Sequence, residues 1–266
     1  MKDKKVAIVT GASSGIGQAV VKQLAHQGYN LVLVARRENR LKTLANQLET
    51  SYQCDCLVLA GDLKQAHFIE RVVEQTMTYF GQIDLLFQAA GYGIFKGATD
   101  FTYEEIQDMF ALNVFAMMYL AQLVALEMVD QGQGQIYLVA SSAGKLPTAS
   151  ASIYAASKAA MIAYADALRL ELRPLGIPVV TINPGPVATP FFDRDQNSKK
   201  YFNTVKDLAL DVDNLAERIV RSIESPRKYK REMNAPYLLQ VAHQISSIFP
   251  TISDIFNLRL FNLKEK

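Results

Sequence analysis

The chain of 266 residues has no tryptophan, only two cysteines and three histidines, and its charges nearly cancel at a net +2. Each scarcity removes a class of function. Cys54 and Cys56 are the only thiols, and two positions this close in one extended strand point to the same face without reaching disulfide geometry. Free thiols fit a reducing compartment, so a cytoplasmic protein is expected. His26, His67 and His243 are scattered without ligand spacing, and no metal site is expected. A balanced charge leaves no footprint for a polyanion, which removes nucleic acid from the expected partners.

Low-complexity windows, fixed-period repeats and linkers rich in Ser, Pro or Gly are also missing, so one globular domain is expected. Near the amino terminus the apolar stretch Val6 to Val9 is far too short for a signal-peptide core. One uncharged run, Met109 to Leu126, approaches the length of a membrane span. Asn113 and Gln122 interrupt it and Glu127 closes it, so it reads as a helix buried on several sides. Glycine is absent after Gly185, which makes tight left-handed turns scarce in the last 81 residues. That end carries an excess of four positive charges from Arg227 onward. From Tyr237, the residues Leu238, Val241, Ala242, Ile245, Phe249, Ile252 and Phe256 recur every three or four positions, predicting an amphipathic helix interrupted at Pro250.

What is present alternates regularly. Short β-branched apolar runs at Val6–Thr10, Leu31–Val34, Cys56–Leu59, Leu85–Phe87, Ile136–Val139 and Val179–Ile182 are separated by helical patterns. Strands joined by crossover helices must run parallel, so the fold class is α/β, a doubly wound, Rossmann-like parallel sheet with helices on both faces.

The first strand runs directly into Thr10-Gly11-Ala12-Ser13-Ser14-Gly15-Ile16-Gly17, and a helix follows. Glycines there let the backbone approach a diphosphate, while free N–H groups and the helix dipole favour its charge. No Gly-Lys-Ser/Thr follows, which excludes a Walker-type loop. At the end of the second strand, where an NAD enzyme would present a carboxylate to the ribose, the sequence reads Val34-Ala35-Arg36-Arg37. Two guanidinium groups and no acid favour the 2′-phosphate of NADP(H). Asp62, after the third strand, is placed to accept from the adenine amino group or to cap the next helix. Residues 1–236 are therefore read as a dinucleotide-binding and catalytic domain, and 237–266 as its amphipathic extension.

Two Tyr-x-x-x-Lys pairs occur, Tyr92…Lys96 and Tyr154…Lys158. Tyr92 lies among Gly91, Gly93 and Gly97, whereas Tyr154 opens a run of strong helix formers, where residues four apart share a face. Ser141 adds a hydroxyl at the end of the fifth strand.

These residues resemble the short-chain dehydrogenase/reductase family over nearly the whole length. The likeness rests on Thr10-Gly11-x-x-x-Gly15-x-Gly17, Ala89-Ala90-Gly91, Asn113, Ser141, Tyr154-x-x-x-Lys158, and Asn183-Pro184-Gly185 with Thr189. It implies Tyr154 as general acid toward a carbonyl, Lys158 on the nicotinamide ribose, Ser141 polarising the substrate oxygen, and Asn113 anchoring a proton-relay water. Val187 and Thr189 would meet the nicotinamide carboxamide. Ser13, Ser14 and Ile16 in the glycine turn, Leu63 beside Asp62, Ala90 with Gly91, and Pro184 with Gly185 complete the expected cofactor contacts.

Two departures stand out: Gln88 replaces the usual Asn, and the usual ending of a short strand followed by glycines is missing. In its place Lys230-Arg231-Glu232-Met233-Asn234 offers a poor last strand. The implied activity is NADP(H)-dependent reduction of a ketone or aldehyde. Two alternatives on the same fold are a non-catalytic dinucleotide-binding regulator and a membrane-associated scaffold. Between Pro186 and Leu210, Phe191, Phe192, Tyr201 and Phe202 suggest either an apolar substrate or a well-packed loop. The helices over Phe110–Leu126 and Tyr154–Leu172, with Met117, Met118, Tyr119, Ile162 and Leu168, carry enough apolar surface to predict a homodimer or homotetramer. For the tail, packing on its own domain or a neighbour, covering the substrate site, and touching a membrane are the three expectations.

Overall fold

The computed structural model describes residues 4–146, 148–225, 231–248 and 251. Among the described residues, seven strands form one parallel sheet: β1 (Val6–Thr10), β2 (Asn30–Ala35), β3 (Cys56–Ala60), β4 (Leu85–Gln88), β5 (Gln135–Val139), β6 (Val179–Pro184) and β7 (Glu232–Ala235), in the order β3-β2-β1-β4-β5-β6-β7. Every expected strand is present, several longer by one or two residues in all, and β2 by one at each end.

The strands read as unbroken apolar runs because both faces are covered. In β1, Ala7 and Val9 face one core with α1 (Gly15–His26), α2 (Glu38–Ser51) and α8 (Val212–Glu224). Val6 and Ile8 face the other with α3 (Ala66–Phe80), α5 (Met117–Gln131) and α6 (Ser152–Leu172). The chain reverses direction across the sheet between β1 and β4. Loops on either side of that switch diverge at the carboxyl edge and leave a crevice.

The uncharged run becomes a broken helix. A capping box at Thr102 and Glu105 starts α4 (Tyr103–Phe110), residues Ala111–Ala116 form a π-turn, and α5 continues. From Tyr103 to Gln131 it is long and apolar enough to cross a membrane. Leu120, Ala121, Val124 and Met128 are instead fully buried against the sheet, the placement of a core helix. The expectation of surplus apolar surface divides: Met117 and Leu168 belong to the core, whereas Phe115, Leu126 and Leu170 are exposed.

Three sequence expectations need correction. Cys54 lies outside β3, its amide donating to Tyr52 O at 2.7 Å, so the two free thiols do not share a strand. Asp62 does not cap α3, because Gln65 occupies that position. Instead Asp62 Oδ1 accepts from the Lys64 amide at 3.0 Å. The poor last strand is real but shifted to Glu232–Ala235, and Lys230 lies outside the described residues. Helix α9 (Tyr237–Ile248) follows the predicted periodicity; Phe249, Pro250, Ile252 and Phe256 lie outside the described residues.

Gln88 resolves the first departure: its buried side chain donates from Nε2 to Met117 O at 3.0 Å, tying β4 to the first residue of α5. Replacing it by leucine removes this donor and leaves a buried carbonyl underserved. Gln88→Leu is expected to lower the unfolding free energy by about 1–3 kcal/mol in urea titrations. An unchanged midpoint would show that the amide is dispensable.

Candidate active site

The crevice is a continuous cavity of about 1320 Å³. Every residue that the sequence singled out for cofactor or chemistry lines it, except Asn113, which is fully buried.

At one end β1 turns through Gly11 and Gly15, both at positive φ, into the amino terminus of α1. A Cβ on Gly17 would stand 2.5 Å from Gly11 O, and one on Gly11 would stand 2.9 Å from Ala89 backbone atoms, so the cradle exists only with glycine. Ser14, at the N-cap, makes no side-chain cap bond, and the first turn holds no acid, which leaves the N–H groups open to an anion. Ser13, Ser14 and Ile16 line this end, with Thr189 packed over Gly15.

Arg36 and Arg37 follow β2, and Arg37 Nη2 donates to Ser13 Oγ at 2.9 Å and Ser14 Oγ at 2.8 Å. Arg40, one turn into α2, joins them on the cavity wall. Partial burial, then Arg40 and Arg36, press the Arg37 guanidinium below its ordinary value, a sign of concentrated positive charge. The only acid nearby in sequence, Glu38, pairs with Lys42 at 2.7 Å. The sequence reading missed Arg40, although its helical spacing from Arg36 and Arg37 would have placed it. Asp62 and Leu63 form the opposite wall.

The chemical groups converge further along. Ser141 follows β5; its Oγ accepts from the Ala143 amide at 3.1 Å, and it lines the cavity together with Tyr154. Tyr154 and Lys158 share one face of α6, with the Lys158 ammonium 5.8 Å from the Tyr154 ring centroid. Lys158 Nζ donates to Val139 O at 2.9 Å, and a Cβ on Gly91 would lie 3.5 Å from that nitrogen. Both groups are buried. Burial pushes Tyr154 up to about 12, opposed by the Ser141 hydroxyl. Burial alone brings Lys158 down to about 7. The phenol therefore stays protonated through neutral pH, the form that can donate to a carbonyl oxygen.

Asn113 sits in the π-turn. Its Nδ2 donates to Tyr92 O at 2.9 Å and Ser157 Oγ at 3.0 Å, while Oδ1 accepts from the Tyr92 amide at 3.1 Å. Its side chain is thereby a brace between the Gly91–Tyr92 turn and α6.

The competing pair separates. Tyr92 Oη donates to Asp108 at 2.6 Å, and burial with that carboxylate raises its pKa, while Lys96 pairs with Glu105. Tyr92 and Lys96 share no site.

Pro184, Gly185, Val187 and Thr189 form the edge beyond β6. Phe191, Phe192 and Tyr201 face the cavity, whereas Phe202 packs behind Phe192 at 4.8 Å between ring centroids. Residues Leu238, Leu239, Ala242 and Ile245 of α9 complete the wall, so this helix covers the site, one of the three expectations for the tail.

The model for short chain dehydrogenases matches residues 5–200. An uncharacterized oxidoreductase of Staphylococcus epidermidis is 34% identical over 224 residues, 84% of this chain and 92% of the relative. L-sorbose reductase from Gluconobacter frateurii, solved with NADPH and L-sorbose, aligns at a TM-score of 0.80 and 29% identity over 88% of this chain and 95% of its own. A 3-ketoacyl-(acyl-carrier-protein) reductase from Brucella melitensis, solved with NADH, aligns at 0.79 and 25% identity over 88% of this chain and 98% of its own.

The Lys158 shift sets a pH dependence of stability. Its folded value, about 7, lies below the ordinary 10.5, so between these the unfolded chain binds a proton that the folded chain does not. Stability therefore rises with pH across that window, by up to about 1.4 kcal/mol per unit from this group. Tyr154, shifted the other way, subtracts only above about pH 10, where the unfolded phenol ionises first. Chemical unfolding of the dinucleotide-free protein at increasing pH, compared with Lys158→Met, isolates the effect from the Cys54 and Cys56 thiols. The rise is expected in the parent and absent from the difference if Lys158 is not its source.

Proposed function

Because the chain belongs to the short-chain dehydrogenase/reductase family, we propose that it is an NADP(H)-dependent reductase of a small-molecule ketone or aldehyde. The observation that carries this reading is the buried Tyr154, sharing a helix face with Lys158 and lining, with Ser141, a dinucleotide-sized crevice. Its geometry fits the cofactor: a glycine cradle with open N–H groups, then three arginines where the ribose phosphate would lie.

When bound, NADPH supplies a hydride to the carbonyl carbon. Tyr154 gives its phenolic proton to the carbonyl oxygen, so the products are the alcohol and NADP⁺. Ser141 holds that oxygen as negative charge develops. Lys158, with the Gly91 backbone close by, would hold the ribose hydroxyls, and its ammonium charge would stabilise the tyrosinate left when Tyr154 has given up its proton. Asn113 positions both by bracing the Tyr92 turn against α6.

The cofactor form is argued from this chain's own charges. Ala35 offers no carboxylate to a ribose diol, and Arg36 with Arg40 offers cations to a phosphate, while Arg37 is drawn toward the Ser13 and Ser14 hydroxyls. The same reading includes a cytoplasmic homodimer or homotetramer, supported by Phe115 and Leu170 at 62% exposure each.

Tyr154→Phe is expected to retain NADPH binding and lose two or more orders of magnitude in turnover, measured as NADPH oxidation across a panel of ketones and aldehydes. Full activity in that variant would move the proton donor elsewhere. A charge-assisted contact to the 2′-phosphate contributes roughly 1.5–3 kcal/mol, so kcat/KM with NADPH should exceed that with NADH by about ten- to a hundred-fold. Arg36→Ala should erase most of that ratio; an unmodified protein that prefers NADH would overturn the assignment. Light scattering should return a multiple of the 29.6 kDa chain mass, and a monomer at working concentration would remove the assembly from the reading.

A further inference from the structure

We propose that the substrate is a long, uncharged, apolar carbonyl compound, an alkyl aldehyde or ketone, whose chain lies along α9, and that this helix sets the preferred length. The inference rests on the reading of Tyr154 as the proton donor and adds the class of molecule it serves.

Beyond Tyr154 the cavity changes character. Phe191, Tyr201, Leu208, Leu239, Ala242 and Ile245 carry the wall away from the catalytic phenol. The Tyr154 ring itself sits among aromatics, 5.4 Å from the Phe95 centroid and 5.8 Å from that of Phe191. Charged lining residues are elsewhere. Arg36, Arg37, Arg40 and Asp62 belong to the cofactor end, and Lys158 is buried with its ammonium on Val139 O. Asp193 and Arg194 are exposed at the rim, with Arg194 stacked 4.0 Å over the Tyr92 ring. A carboxylate or phosphate carried on the substrate chain would enter this half of the cavity, lose its water and gain no counter-ion.

The few hydroxyls there already have partners. Tyr201 Oη and Thr148 Oγ1 face each other at 3.4 Å, and Thr204 Oγ1 donates to Tyr201 O at 2.7 Å. Ser246 stands at the outer end. Ser141 and Tyr154 thus offer the hydrogen bonds for one oxygen, and the rest of the surface selects hydrocarbon.

Helix α9 is a fixed wall. Leu239 Cδ1 lies 2.8 Å from where a Cβ on Gly185 would stand, so this side chain packs closely over the glycine. One helical turn further, the His243 ring N–H donates to Lys145 O at 3.1 Å. Lys145 in turn pairs with Glu232 on β7. The helix is therefore held at both loops that flank the chemistry, the one leaving β5 and the one leaving β6. From Leu238 to Ile245 it presents about 10 Å of apolar surface along its axis. Leu238 at 70% and Ile245 at 53% exposure also form the outer lip, where a longer chain would emerge into water.

Each methylene buried along this wall should raise kcat/KM about fourfold, the factor equivalent to roughly 0.8 kcal/mol per methylene, until the chain passes the lip and the profile levels. The test is the series of n-alkanals from butanal to dodecanal, with the matching methyl ketones and ω-carboxylate aldehydes, assayed with NADPH on the full chain. The expected result is a rising, then flat, profile, with ω-carboxylates at least a hundred-fold below alkanals of equal length among the members too short to reach the lip. Ala242→Trp should flatten the slope for the longer members, with NADPH-dependent thermal stabilisation reporting that the variant is folded. Ile245→Lys should narrow the gap between ω-carboxylates and alkanals, and it keeps the test decisive if the tryptophan variant does not fold. A length-independent or falling profile, or ω-carboxylates reduced as well as alkanals, overturns this inference while leaving the reductase reading intact. No reduction of any aldehyde or ketone overturns both.

Discussion

Asn113, with none of its surface exposed, bonds through its amide to both backbone groups of Tyr92 and to the Ser157 hydroxyl, so one side chain fixes the turn after β4 to the helix that carries Tyr154 and Lys158. The two segments are far apart in sequence and belong to different layers of the fold. Without that brace, Gly91 and the Lys158 ammonium would have no reason to remain close. The π-turn over Ala111–Ala116 is how a long core helix presents this amide inward while α4 and α5 continue on either side. Gln88 works on the same joint from below, holding β4 to the start of α5.

Burial gives the site its electrical character. A lysine buried beside a backbone carbonyl and a thioether, Val139 O and Met161 Sδ, loses much of its preference for the charged state. The neighbouring phenol is held neutral by the same desolvation. Water exclusion, achieved by Phe95, Phe191 and the sheet edge, thus tunes both members of the pair, and the Ser141 hydroxyl is the counterweight.

Much of this was legible in the residues. Alternating apolar runs fixed the strands because a strand buried on both faces has no polar positions to disguise it. The glycine turn and Tyr154…Lys158 were legible because each has a local geometric requirement: a cradle that any Cβ would fill, and a spacing of four on a helix. What was not legible depended on distant partners. Periodicity showed that α9 is amphipathic, but its contact with Gly185 and Lys145 is set by the path of β6 and β7. Arg40 carries no signal of its own because it lies inside α2, beyond the strand end where a ribose-recognising residue is expected. A cap remains one of two roles open to Asp62 in the sequence because capping and turn formation use the same oxygen, and only the start of α3 at Ala66 distinguishes them. The thiols were placed in one strand because nothing in their spacing reveals that β3 begins at Cys56.

Among the described residues, helix α9 also follows every other element in chain order. During synthesis the glycine cradle, the arginines and the tyrosine–lysine pair all leave the ribosome before the segment that walls the far end of the cavity. The core sheet from β1 to β6 can close, and a dinucleotide can settle, around a chamber that is still open on one side. Substitutions along this late segment can reshape what the chamber admits while the earlier machinery is left untouched, so the part of the molecule that chooses its substrate is separable, in time and in sequence, from the part that performs the chemistry.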